Sequence, residues 1–307
     1  MKSKFPNSEI DFKINSHCFK IFILLLLIIQ KMLFEFNNKF IRKFGNEFSY
    51  QNYERNIITK KMKDKAGWML TSSDYYFING IIRKYKPKKC LEIGVANGGS
   101  SILILNAIKD IKNSILVSLD LNLKRENKSI GYRVKNFFPE LMNNWMLFCG
   151  DQPHKFLDKL NIKFELIFLD TAHVSPGELL NIIEILPFIN ENAIIILHDV
   201  LWHFLVSKKK YSRNFSPSQI YLFSALYGDK IFPSTFGIRN IGAVFLYRNQ
   251  KKHYIDYFLL LLCFWEYMPT DKQIDDLRIF IKKYYKKQIY LNIFNQAVKF
   301  NKKHLNK

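Results

Sequence analysis

Short apolar runs alternate with longer amphipathic stretches between about residues 66 and 249. The apolar runs are Lys89–Ile93, 114–119, 146–149, Phe164–Leu169 and 193–197, followed by 230–233 and 243–247. Between them lie stretches of helical character: 74–85, with Ser72, Ser73 or Asp74 as cap, then 100–111, 123–138 (polar, with a frayed centre), Pro153–Leu160, 176–189 and 218–227. The strand runs are near-continuous in their apolar character, which suits a parallel sheet covered by helices on both faces. The last two runs have no helix between them and read as an antiparallel pair at the sheet edge. The pattern therefore predicts a doubly wound α/β fold with a mostly parallel, seven-stranded sheet.

Two extensions flank this middle zone, so the expected organisation is 1–65, 66–249 and 250–307. The first is polar and lysine-rich around one apolar run, 21–29. Nine residues are too few to span a bilayer, which needs about 20. The run is read as an amphipathic or buried helix, with attachment to a membrane surface as the second reading. The last extension reads as helical over 254–265, 274–285 and 289–300, placed to cover the sheet edge or to make a homodimer. Residues 259–262 are expected in its core.

Ligands of open α/β sheets bind beyond the carboxyl ends of the strands. In this chain each of the first five strands ends on a polar group: Glu92, Asp120, Asp151, Asp170, and then His198 with Asp199. Asp favours turns, so one such residue means little. Five strands in succession deliver six polar groups to one crevice. After the first strand comes a glycine-rich turn, Gly94 to Gly99, leading into a helix. Glycine lets backbone approach a ligand, and a helix start offers unpaired N–H groups. Ala96 stands where a dinucleotide fingerprint needs glycine, which weakens a pyrophosphate reading.

Composition changes the picture only at its margins. The 307 residues are 48% hydrophobic and 16% aromatic, enough for a large core and against disorder of the whole chain. The formal charge is +21. The lysines are scattered, without an arginine-rich reader helix, metal-finger spacing or aromatic RNA-binding signature, so a nucleic-acid partner is disfavoured. A solvated basic surface is the plain reading; attraction to anionic lipid or glycan is the sharper one. The four cysteines, Cys18, Cys90, Cys149 and Cys263, form no disulfide framework and fit a reducing, cytoplasmic setting, with the inner face of the membrane as the peripheral alternative.

The strand-end set, with Asp170-Thr171-Ala172-His173 and His198-Asp199, resembles a class I S-adenosylmethionine-dependent methyltransferase from about residue 68 to 247. It is similar to bacterial small-molecule and sugar O-methyltransferases that carry D-x-x-H after strand four and H-D after strand five. The resemblance implies roles. Glu92, Gly94, Ala96, Asn97, Gly98 and Ser100 would hold the methionine moiety, Asp120 the ribose hydroxyls and Asp151 the adenine amino group, with Asp170 at the cofactor's edge. His173, Asp170 and His198 would serve catalysis. Removing a hydroxyl proton needs a general base or a divalent cation. His173 is the base candidate, because imidazole titrates close to neutral pH. Asp170, His198 and Asp199 are the candidate ligands of Mg²⁺ or Mn²⁺. Metal-dependent relatives often place two carboxylates after strand five, where this chain has His-Asp.

The acceptor expected is a hydroxyl on a small molecule or cell-surface glycan. The basic, aromatic segment 201–217 sits where a lid would lie and suits an anionic acceptor. Two other readings stay open. One is a protein that keeps the fold without the chemistry. The other is an RNA methyltransferase, which lacks support from any N-P-P-Y-type motif after strand four.

Overall fold

The computed structural model describes residues 60–66, 70–200, 218–233 and 240–305. The expected helix over 21–29 and the segment 201–217 lie outside the described residues. Helices α1 (Lys60–Ala66) and α2 (Ser72–Tyr85) precede β1 (Lys89–Ile93), α3 (Gly99–Ile108) and β2 (Ile115–Asp120). A small hairpin, β3 (Lys124–Arg125) and β4 (Lys128–Ser129), leads to α4 (Tyr132–Phe137) and β5 (Trp145–Cys149). Then come α5 (Pro153–Leu160), β6 (Phe164–Leu169), α6 (Gly177–Ile185), β7 (Ile189–His198), α7 (Ser218–Ala225), β8 (Gly228–Ile231) and β9 (Ile241–Leu246). Three helices close the described chain: α8 (Tyr254–Leu259), α9 (Asp271–Tyr284) and α10 (Gln288–Leu305).

The sheet has seven strands in the order β5-β2-β1-β6-β7-β9-β8. The first five are parallel, β9 runs antiparallel to β7, and β8 pairs antiparallel with β9. Chain order reverses at β1, whose neighbours are β2 and β6, so the strand ends of β1, β2 and β6 meet at the switch point of the sheet. Successive residues explain the unbroken apolar runs. Leu91, Ile167, Leu169, Ile195 and Leu197 enter one core, while Cys90, Leu166, Phe168, Ile194 and Ile196 enter the other. Both faces of these strands are covered over most of their length; the exposed positions, Glu191 and Asn192, lie near the start of β7.

Three expectations change. The helix read over 123–138 is a hairpin and a short helix. Glu126 and Asn127 both adopt positive φ (51° and 63°), the backbone that closes a two-residue hairpin with the natural strand twist. The cap of α2 is Thr71, in a reciprocal capping box with Asp74. The C-terminal helices lie over the α5–α6 layer: Tyr285 Oη donates to the carbonyl of Ile183, and Phe280 and Trp265 share the core of Leu179 to Ile183. Leu260 and Leu261 are buried as expected, but Leu259 and Leu262 are exposed. Among the described residues no helix is long and apolar enough to cross a membrane.

Candidate active site

The glycine turn is held from below. Gly94 adopts φ +91°, and a Cβ there would lie 1.8 Å from the carbonyl oxygen of Asp170, so only glycine lets β1 and the β6 end pass this closely. Glu92 lies beneath the turn and is fully buried. Its carboxylate accepts from the hydroxyls of Ser100 (2.5 Å), Ser101 (2.6 Å) and Ser118 (2.6 Å), the first two in the opening turn of α3. Burial pushes its pKa up to about 7, against the pull of the three hydroxyls. Glu92 therefore braces the turn from inside and does not reach the crevice.

Asp120 ties the turn from the side. One carboxylate oxygen accepts from the backbone N–H of Val95 and of Ala96, both at 3.0 Å, and the other from the N–H of Asn122 at 2.9 Å. The carbonyls of Ala96 and Asn97 accept from the N–H of Gly131 and of Arg133, so the start of α4 holds the turn's far side. The Asn122 side-chain amide also donates to the second oxygen of Asp120 at 3.4 Å, so that carboxylate meets four donors, the last of them weakly held.

Above these residues opens a cavity of about 290 Å³, close to the lower limit of roughly 300–1,000 Å³ for small-molecule sites. Gly94, Ala96, Asp120, Asp151 and Asp170 line it. Glu92, Asn97, Gly98 and Ser100 do not, and their role is to shape the turn. The sequence reading missed several lining residues: Leu121, Asn122 and Ile130 from the hairpin region, Leu180, Asn181 and Glu184 from α6, and Tyr267, Pro269 and Gln273 from the C-terminal segment. The spacing of 181 and 184 on an apolar helix was the available signal for α6. Nothing local marks 267–273, whose place depends on tertiary packing. Asp151 sits half-exposed at the cavity. Burial raises its pKa, but the N–H of Gln152 and the Lys155 ammonium outweigh this and hold it low.

The acids and histidines of β6 and β7 converge around Asp170, which lines the cavity. His173 and Asp199 both adopt positive φ (57° and 55°). The backbone N–H of His173 donates to Glu178 Oε1 at 2.6 Å, and Thr171 Oγ1 donates to the same carboxylate at 3.2 Å. Glu178, also unforeseen, thus pins the 170–173 turn. The His173 imidazole lies 3.1 Å from Asp199 and 3.6 Å from Asp170. Asp199 accepts from the Asn240 side chain. One ligand atom each of Asp170, His173 and Asp199 fall within 4.8 Å of one another.

His198, expected among the metal ligands, is replaced in that group by His173. Its ring is 3.4 Å from Asp170, 3.5 Å from Asp199 and 3.7 Å from Asp74, the α2 capping residue. Burial disfavours its charged form, but the three carboxylates overcome this and push its pKa up to about 12. The three carboxylates thus favour the charged ring, which balances the acids around it, and Asp74 joins the site through its contact with His198.

Cofactor and cation both fit the residues present. Carboxylates at Asp120 and Asp151 line the cavity together with the apolar side chains of Leu121, Ile130 and Leu180, a mixture that suits a base joined to a ribose. Two carboxylates and one imidazole form a donor set suited to Mn²⁺ or Mg²⁺.

Residues 91–200 match the family model described as a methyltransferase domain. No curated protein matches the chain. Among solved structures, the O-methyltransferase TomG from Streptomyces achromogenes, in complex with SAM, is 14% identical, with TM-score 0.48 over 64% of this chain and 96% of that one. An O-methyltransferase from Bacillus cereus in complex with SAH is also 14% identical, with TM-score 0.48 over 64% and 97%. The SAH-bound methyltransferase PaMTH1 from Podospora anserina is 17% identical, with TM-score 0.43 over 80% and 99%. The seven-stranded sheet with its one inserted antiparallel strand, together with the matched segment, defines a class I methyltransferase fold. Residues 91–200 thus carry the methyltransferase-domain signature within that fold.

Proposed function

We propose that the chain methylates a hydroxyl of a small molecule or sugar, with His173 as the group that takes the proton. The observation that carries this reading is the position of His173: a positive-φ turn, held by Glu178, sets its ring between Asp199 and Asp170, and Asp170 lines the cavity. When bound, S-adenosylmethionine supplies an electrophilic methyl group on a sulfonium. The chain's own residues then have three tasks. Asp120 and Asp151 orient the nucleoside portion, and the turn from Gly94 to Gly98 shapes the methionine end. His173 accepts the hydroxyl proton, and Asp199 beside it stabilises the imidazolium so formed. Asp170 and His198 fix the electrostatics of that corner.

A second reading is favoured by the cluster of Asp170, His173 and Asp199. These residues would hold a divalent cation that lowers the pKa of the acceptor hydroxyl. The basic residues of 201–217, with Arg125 at the cavity, favour an anionic acceptor. We place the enzyme in the cytoplasm, with residues 1–65 as an extension whose contact with a membrane surface is one option.

The test is methyl transfer from labelled S-adenosylmethionine to a panel of phenolic, sugar and phosphosugar acceptors. For His173→Ala, turnover is expected to fall by about 10²–10⁴ while S-adenosylhomocysteine binding stays unchanged. Near-normal turnover removes His173 from the chemistry. Loss of wild-type turnover in EDTA, restored by Mn²⁺ or Mg²⁺, selects the cation reading.

A further inference from the structure

The segment after the methyltransferase domain turns back into the cavity. Tyr267, Pro269 and Gln273 line it together with Asp151 and Glu184. The segment is firmly held there. The N–H of Glu266 donates to the carbonyl of Ser175 at 2.8 Å, and the N–H of Trp265 donates to Asn301 at 2.8 Å. Helix α9 is clamped to α5 by Lys155, whose ammonium is 2.6 Å from Asp276 and 3.3 Å from Asp151. The Phe280 ring lies 4.9 Å from that of His154. Gln273 and Asp276 are three residues apart and share a helix face. The face that reaches Asp151 through Lys155 is therefore the face that carries Gln273.

Gln273 has a divided side chain. Its Oε1 accepts from the N–H of Thr270 at 2.9 Å and from the Thr270 hydroxyl at 3.2 Å, closing the capping box of α9. That bonding fixes which end of the amide is oxygen. Among the described residues its Nε2 has no protein partner, and the residue borders the cavity.

We propose that Gln273 is a specificity residue for the purine of the cofactor, donating from Nε2 to a ring nitrogen while Asp151 accepts from the neighbouring amino group. The inference rests on the cofactor reading above. An acceptor at Asp151 and a donor at Gln273 match the amino and ring-nitrogen edge of adenine. Hypoxanthine reverses both, so the pair discriminates between the two bases. Tyr267 and Pro269 supply apolar wall beside the ring.

Gln273→Glu separates this role from a structural one. Glutamate serves as well as glutamine in a capping box, so the helix cap is kept while the donor becomes an acceptor. Titration calorimetry of the full chain with S-adenosylhomocysteine and with 5′-methylthioadenosine, which lacks the amino-acid end, is the measurement. For Gln273→Glu the Kd of both is expected to rise about tenfold or more. The ligand-free Tm is expected to stay within about 2 °C, as for a surface change that keeps its cap. Gln273→Met, without the donor and without a charge, is expected to weaken both ligands in the same direction. Unchanged affinity in both variants overturns the proposal and leaves the cofactor reading intact, as does a loss for S-adenosylhomocysteine alone. A wild-type chain that binds neither ligand overturns both.

Discussion

Glu92 illustrates how a residue's type is legible while its task is not. An acid at the end of the first apolar run was evident, but three serine hydroxyls converge on it, one of them 26 positions away, and they make it an internal brace. Its pKa, raised from 4.5 to about 7, gives a signed expectation. A buried acid whose folded pKa is raised holds its proton more tightly in the native state. Its stabilising contribution is complete below pH 4.5 and is lost as pH rises towards 7. The loss is of the order of 3 kcal/mol. Thermal melts from pH 4.5 to 8 should therefore show a shallower decline for Glu92→Gln than for the wild type. Parallel curves would mean that Glu92 does not titrate in this range.

The turn from Asp170 to His173 is where three elements meet at the proposed acceptor side. β6 delivers it, α6 holds it through Glu178, and β7 brings Asp199 against it. Glu178→Ala should free the turn and cut kcat by at least about tenfold. S-adenosylhomocysteine affinity should change by less than about threefold, since the change lies on the acceptor side. Equal losses in both would assign Glu178 to general stability. At this scale the sequence was informative wherever periodicity was unambiguous. Four of the five parallel strands, β1, β2, β6 and β7, have buried residues on both faces, so their runs are continuous, and their ends were readable. The hairpin at 124–129 was not, because Glu126 and Asn127 take positive φ without a glycine to announce it. Nor was the exchange of His198 for His173 in the ligand cluster. His198 faces Asp74, 124 positions earlier, as well as Asp170 and Asp199, a contact that no local pattern announces.

For the molecule as a whole, the C-terminal helices are part of the fold they follow. Their aromatic residues share one core with α6, and Lys283 reaches Asp158 of α5 at 2.7 Å. Phe280, buried between His154 and Phe188, should cost about 3–5 kcal/mol on substitution by alanine. Denaturant melts would measure this, and a loss below about 1 kcal/mol would mark α9 as a loosely attached appendage. The sequence indicated helices here but not their destination, because an amphipathic face does not name its partner.

The proposed function requires the β1 turn and Asp120 to form an S-adenosylmethionine cradle. Titration calorimetry of the wild type and of Asp120→Ala with S-adenosylhomocysteine tests it most directly. One site is expected in the wild type, with an affinity at least about tenfold weaker in the variant, a difference of about 1.4 kcal/mol or more. Absence of wild-type binding at millimolar ligand, or equal affinity in the two proteins, would contradict it.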